Sequence, residues 1–314
     1  MNSIEALKLD FKSQIRELGN INNKKICDDC VFVGSGDSYV AGLIVEFLTD
    51  HKCRCYSPSD LLNSKFLKNK TYCFISVTGK TNANIQVARQ AAQAGVKTVA
   101  ITLNKNSKLA EICNEIVPLN ITRTNTPASG FSTFVSNVVT CLQLSGVTVP
   151  QKFDIWHKKG IELSFNFFKS MILPEGTVYL LGNNILYALS LYVSLKMAEF
   201  FGSTAVAYKL EEFCHSPLFG LKKSNHLWIL GQHEEQISRR LSGLGISITY
   251  MELHNPNILS QLFESIFFVQ KLILLLAERH GYIELQYLLK HDILNASSDI
   301  IYHVKNDNCS ENNY

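Results

Sequence analysis

Two short segments combine glycine with hydroxyl side chains at the ends of apolar runs, a pairing suited to holding an anion. One reads Gly34-Ser35-Gly36-Asp37-Ser38, and the other Ser76-Val77-Thr78-Gly79-Lys80-Thr81. Glycine lets the backbone approach a ligand closely, and hydroxyls donate hydrogen bonds to phosphate oxygens without a fixed charge. Lys80 would add a charge if it turned inward. A helix starting just after each segment would direct free N–H groups and its positive dipole end at the same spot. Each Ser or Thr taken alone equally suits a helix N-cap. Two such clusters after strands of one sheet favour a ligand.

A second set of residues has the types needed to move protons. Lys196 and Glu199 lie three apart in "LSLYVSLKMAEFF" and share a helix face. A glutamate in an otherwise apolar helix is costly to bury unless it is paired or used. The pair reads either as a structural ion pair or as a carboxylate base beside a cation that stabilises an enediolate. His215 stands between Glu211-Glu212-Phe213-Cys214 and Ser216-Pro217. Its imidazole titrates near neutrality, which suits acid–base work, although a lone histidine is equally at home as a plain surface or core residue. The other histidines show no metal-ligand spacing, and neither a metal nor a cofactor is expected.

These residues need elements to position them. The first half alternates apolar runs with amphipathic stretches: "CVFVGSG", "KCRCYS", "TYCFISVTGKT", "VKTVAITLN" and "EIVPLNI" read as strands. Helical patterns lie between most of them, which predicts a parallel sheet with helices on both faces. "VTVPQKFD" reads as a linker, and a long helix follows over roughly 152–173. The alternation then begins again, with strands in "GTVYLLGNN", "STAVAY", "NHLWILGQ" and "ISITYMEL". An apolar helix and a loose tail end the chain. The expectation is α/β, with a first domain over 1–150 carrying the phosphate loops and a second over 151–314 including the tail.

The bulk composition fits this plan. The chain has 314 residues, 46% of them hydrophobic and 18% charged, enough for two cores of ordinary size. The net charge of +3 has no long basic run behind it, so neither nucleic acid nor a membrane surface is an expected partner. "MNSIEALKLDFKSQIREL" is a charged, amphipathic opening and not a secretory signal. The most apolar stretch, "SIFFVQKLILLLAERHG", is broken by Gln270 and Lys271 and reads as too short to span a bilayer. The cytoplasm is the expected location, and the nine cysteines are expected to be reduced thiols. Cys27, Cys30, Cys53 and Cys55 lie on or beside neighbouring strands, where four thiols could bind zinc tetrahedrally. A two-residue repeat in a strand chelates poorly, however, and small apolar filler is the expected role, with no disulfide.

At this point a family resemblance becomes specific. "GSGDSYVAG" resembles the first signature of the sugar-isomerase (SIS) family, and "ISVTGKT" its Ser-x-Ser-Gly-x-Thr phosphate loop, with Thr78 replacing the second Ser. "GVKTVAITLNKNSKLAE" resembles the next strand and its Asn-x-x-Ser-x-Leu continuation at Asn104, Ser107 and Leu109. "GNNILYALSLYVSLKMAEF" and "AYKLEEFCHSP" resemble the isomerase half of glutamine:fructose-6-phosphate amidotransferases and archaeal phosphosugar isomerases and deaminases. The likeness runs from about residue 30 to about residue 300. It implies two flavodoxin-like SIS domains in a homodimer, acting on a phosphorylated sugar. Carried over residue by residue, it implies phosphate contacts at Gly36, Ser38, Ser76, Thr78, Gly79 and Thr81, and a sugar contact near Ser129. Glu199 would be the base between sugar carbons 1 and 2, with Lys196 beside it. His215 would open the sugar ring from across the dimer interface, oriented by Glu212.

The sequence also departs from that family. Gly130-Phe131 stands where the family has Thr-Lys after the sugar contact. The family's tail lysine, which forms a Schiff base, falls on Ser297, and a serine cannot form an imine. Position 2 is Asn, and no glutaminase domain is present, so glutamine-dependent amination is not expected. Isomerisation through an enediol needs no Schiff base and is the leading expectation. The alternatives are a sugar-phosphate sensor without chemistry and a glucosamine-6-phosphate deaminase.

Overall fold

The computed structural model describes residues 1–22, 24–119, 121, 130–169, 171, 173–231 and 235–302. Helix α1 (Ser3–Leu18) leads into β1 (Val31–Val33), α2 (Asp37–Leu48), β2 (Arg54–Tyr56), α3 (Pro58–Leu61) and β3 (Thr71–Ile75). Next come α4 (Asn82–Gln93), β4 (Lys97–Thr102), α5 (Lys108–Ile112), β5 (Glu115–Pro118) and α6 (Phe131–Leu144). All strand pairs are parallel, in the order β2-β1-β3-β4-β5. Every residue of β1 and β3 is buried, as central strands covered on both faces must be, and β1 runs directly into Gly34.

The second half repeats the alternation. After α7 (Phe153–Phe168) come β6 (Val178–Leu181), α8 (Ile185–Phe201), β7 (Ala205–Tyr208), α9 (Leu210–His215) and β8 (His226–Leu230). Then follow α10 (Glu235–Gly243), β9 (Ser247–Met251), α11 (Ile258–Arg279), α12 (Gln286–Leu289) and α13 (His291–Tyr302). Its four strands are parallel in the order β7-β6-β8-β9. Both sheets therefore begin with the same winding: the first strand sits between the second and the third. The α/β class and every strand expected from the sequence are present.

One hydrophobic core reaches across both halves, holding Phe32, Val40 and Phe134 together with Tyr192, Phe200 and Phe267. Phe134 of α6 stacks on Tyr192 of α8 with ring centroids 3.9 Å apart, and Trp156 of α7 stacks on Phe263 of α11 at 4.8 Å. Helix α2 packs against α8, so the first helix after β1 touches the first helix after β6.

Three expectations need correction. Helix α11 is 22 residues long and apolar enough by length and composition to cross a membrane, longer than its sequence suggested. It is buried instead over 72% of its most apolar window, mainly against α7, because its apolar residues run all the way round. The tail forms α12 and α13 up to Tyr302 before the described residues end. Cys27 and Cys30 are joined in a disulfide, with Cα atoms 5.8 Å apart across the Asp28-Asp29 turn, which overturns the expectation of reduced thiols there. Cys53, Cys55, Cys73 and Cys141 are free and buried, and burial pushes their thiols up, as fits apolar filler.

Candidate functional site

In a sheet wound this way the chain turns in opposite directions after β1 and after β3, which leaves a crevice at their carboxyl ends where ligands bind. Both glycine–hydroxyl segments lie there. β1 and β3 are neighbours, with Val33 opposite Phe74, so Gly34–Asp37 and Ser76–Thr81 emerge side by side.

The glycines are dictated by geometry. A Cβ on Gly34 would stand 2.8 Å from the Ser38 Cβ, and Gly36 has φ +56°. Gly79 has φ +65°, and a Cβ there would overlap the Ser107 hydroxyl that starts α5. The hydroxyls do not act as helix caps. α2 and α4 both begin without a side-chain cap, although Thr81 stands at the cap position of α4. Thr81 Oγ1 instead lies 3.1 Å from Ser76 Oγ, and Ser76 is buried. Thr78 Oγ1 accepts from the Lys80 amide at 3.3 Å. The uncapped N–H groups of α2 and α4 thus stand beside Ser38, Ser76, Thr78 and Thr81, an arrangement able to hold an anion.

The Lys196–Glu199 pair belongs to the same place. Lys196 of α8 is fully buried, and its ammonium donates to Glu199 Oε2 at 2.6 Å and to Asp37 Oδ2 at 2.8 Å. Asp37 is the first residue of α2, directly after Gly36. Burial alone would push the Lys196 ammonium down, but the Asp37 and Glu199 carboxylates outweigh it and hold the group above the ordinary lysine range. Lys196 also lies 5.3 Å from the centre of the Tyr192 ring. The Tyr192 hydroxyl accepts from Gln270 Nε2 at 3.3 Å, and Gln270 Oε1 accepts from Gln14 Nε2 at 3.0 Å. No part in the site was expected of Asp37, Tyr192, Gln270 or Gln14 from the sequence. Asp37 carried one signal, a carboxylate inside a glycine–hydroxyl loop that would otherwise suit an anion.

No protein-family model matches the chain, and a search of curated proteins finds no match. Solved structures do match along most of its length. Glucosamine-6-phosphate deaminase from Thermotoga maritima superimposes with a TM-score of 0.71 at 17% identity, over 89% of this chain and 95% of that one. The C-terminal domain of glucosamine-fructose-6-phosphate aminotransferase from Francisella tularensis gives 0.64 at 16%, over 89% and 95%. Tagatose-6-phosphate ketose/aldose isomerase from Escherichia coli gives 0.62 at 13%, over 89% and 90%. The chain has the sugar-isomerase fold.

Other expected site residues fare differently on the sugar-isomerase fold. Ser129 lies outside the described residues. After it, Gly130 starts α6, and Phe131 is wholly buried, stacked on Phe200 at 5.9 Å, so it lines no ligand surface. Asp10 of α1 closes the start of α6, accepting from the Ser132 amide at 3.0 Å and from the Ser132 hydroxyl. His215 is exposed at the end of α9, and no hydrogen bond or ion pair joins it to Lys196 or Glu199. Glu212 is exposed on the same short helix, which Phe213 anchors against Tyr179 and Tyr208. Phe219, just beyond, is 84% exposed. Ser297 sits exposed in α13. Among the described residues no cluster of His, Cys, Asp or Glu is arranged to hold a metal.

Proposed function

We propose that the protein is an aldose–ketose isomerase acting on a hexose-6-phosphate or amino-hexose-6-phosphate through an enediol. The observation that carries this reading is the buried Lys196 ammonium, bonded at once to Glu199 and to the first residue after the Gly36 turn. A proton-moving pair from the second half thereby meets an anion loop from the first. The printed names of the solved neighbours, a deaminase and an isomerase of sugar phosphates among them, support the same substrate class.

In this reading Ser38, Ser76, Thr78 and Thr81 hold the phosphate, with Gly36 and Gly79 giving the backbone its approach. Ser129 contacts the sugar. The Glu199 carboxylate takes the proton from carbon 2 of the open aldose. The electron pair released forms the carbon 1–carbon 2 double bond, and the carbonyl oxygen gains the negative charge, which the nearby Lys196 ammonium stabilises. The proton of the carbon 2 hydroxyl passes to the carbon 1 oxygen, Glu199 returns its own proton to carbon 1, and the carbon 2 oxygen becomes the carbonyl of the ketose. His215, oriented by Glu212, opens the ring from the second subunit of a homodimer. Its exposure beside Phe219 supports a role outside its own chain. The two sheets are read as two SIS domains, over 1–150 and 151–314.

The test is incubation with fructose-, glucose-, mannose- and glucosamine-6-phosphate in heavy water. Deuterium should enter carbon 1 or carbon 2 with the wild type and not with Glu199→Gln. Ammonium release from glucosamine-6-phosphate would redirect the reading to a deaminase. Thermal stabilisation by these ligands without exchange would leave a sensor.

A further inference from the structure

A base that works beside a buried cation faces a difficulty. When Glu199 takes up a proton, it ceases to balance Lys196, and an ammonium left buried without a counter-charge is strongly unfavourable. With Glu199 as the sole partner, the lysine would hold it in the charged state and make it a poor base. Among the described residues, the charged and titratable groups facing Lys196 include Asp37 from α2 and Glu199 and Tyr192 from α8. Gln270 and Phe134, which pack on Tyr192 from α11 and α6, carry no charge. Burial pushes the Tyr192 hydroxyl up, so it stays neutral and cannot serve as the counter-ion. Asp37 is left. Its Oδ2 is 2.8 Å from the ammonium, and its Oδ1 is buried with no hydrogen-bond partner among the described residues, so its charge is directed at Lys196.

We propose that Asp37 is the positioning residue of this site: it keeps Lys196 paired and charged while Glu199 takes up and returns a proton. The inference rests on Glu199 being the base, and it assigns to the loop after β1 a part in the proton transfer as well as in anion binding. It also explains why an acidic residue is tolerated at the mouth of a phosphate loop, since Lys196 offsets its charge.

The experiment is a carbon-13 NMR titration of glutamate side chains in the full-length protein without substrate, with the Glu199 signal identified by its loss in Glu199→Gln. In Asp37→Asn the whole Lys196 charge falls on Glu199, which favours its carboxylate, so its titration midpoint should drop by about one pH unit or more. Asp37→Glu should restore it. A midpoint that stays or rises would overturn the proposal. Should Asp37→Asn fail to fold, Asp37→Ser, which suits a helix start, takes its place. Deuterium exchange into the sugar at neutral pH should fall about threefold or more in the same variant. Wild-type protein that exchanges no deuterium while the midpoint still drops would remove the enzyme reading and leave the pairing role standing. Wild-type exchange with an unmoved midpoint would do the reverse.

Discussion

Asn184 takes up the same backbone conformation as Gly36: φ 51° and ψ −125° against φ 56° and ψ −131°. Each residue is the hinge between the first strand of its sheet and the helix that follows. Each lies two residues after a glycine whose Cβ would collide with the next helical turn, at Ser38 or at Leu186. A side chain at positive φ with ψ in this range is strained, and glycine relieves the strain. Asn184→Gly should therefore stabilise the protein by about 0.5–1 kcal/mol in urea unfolding, after the entropy glycine gains in the unfolded chain is counted. Asn184→Ala should destabilise it.

Removing different members of the ion triad should have unequal costs. Lys196→Met removes the cation that both Asp37 and Glu199 pair with. Both carboxylates are partly exposed, so the loss should be about 1–3 kcal/mol, less than for a fully buried pair. Glu199→Gln keeps Lys196 paired with Asp37 and should change stability far less. Denaturant midpoints of the two variants check the order.

Phosphate anchoring should depend on hydroxyls more than on fold. Ser38→Ala and Thr81→Val should each weaken fructose-6-phosphate binding about tenfold by calorimetry, the scale of one hydrogen bond to a charged group. The ligand-free melting temperature of Ser38→Ala should stay near that of the wild type.

His157 of α7 gives the fold a dependence on pH. Its ring lies 4.4 Å from that of Phe11, its Nε2 is 3.2 Å from the Phe11 carbonyl, and burial pushes its pKa down, with Lys271 adding to the effect. The folded state thus resists a proton that the unfolded chain accepts at about pH 6.5. Stability should fall as pH drops through that value and level off below the folded pKa. His157→Gln should flatten this part of the stability–pH curve relative to the wild type.

The strands and both anion segments were legible because they are local. Val31–Val33 and Thr71–Ile75 are apolar runs ending at small or glycine-bearing turns, and a buried parallel strand needs nothing else. Lys196 and Glu199 were legible because helix spacing alone puts them on one face. Asp37 was not, since its partner lies 159 residues away and only the packing of α2 on α8 joins them. The burial of Phe131 was not legible for a similar reason: its partner Phe200 comes from the other half of the chain. The Cys27–Cys30 bond was missed because composition speaks to the compartment, whereas the bond follows from a turn that brings two Cα atoms close.

The buried link between Gln14 and Gln270 has a consequence for how the protein is made. These residues are 256 apart in the chain, so α1 leaves the ribosome long before α11 exists. At about 5–20 residues per second, the delay is roughly 13–50 s. Over that interval α1 can pack on α6 once α6 is made, but the part of its apolar face that α11 covers stays open. A nascent chain of this kind is a natural client for a holding chaperone until its last long helix arrives.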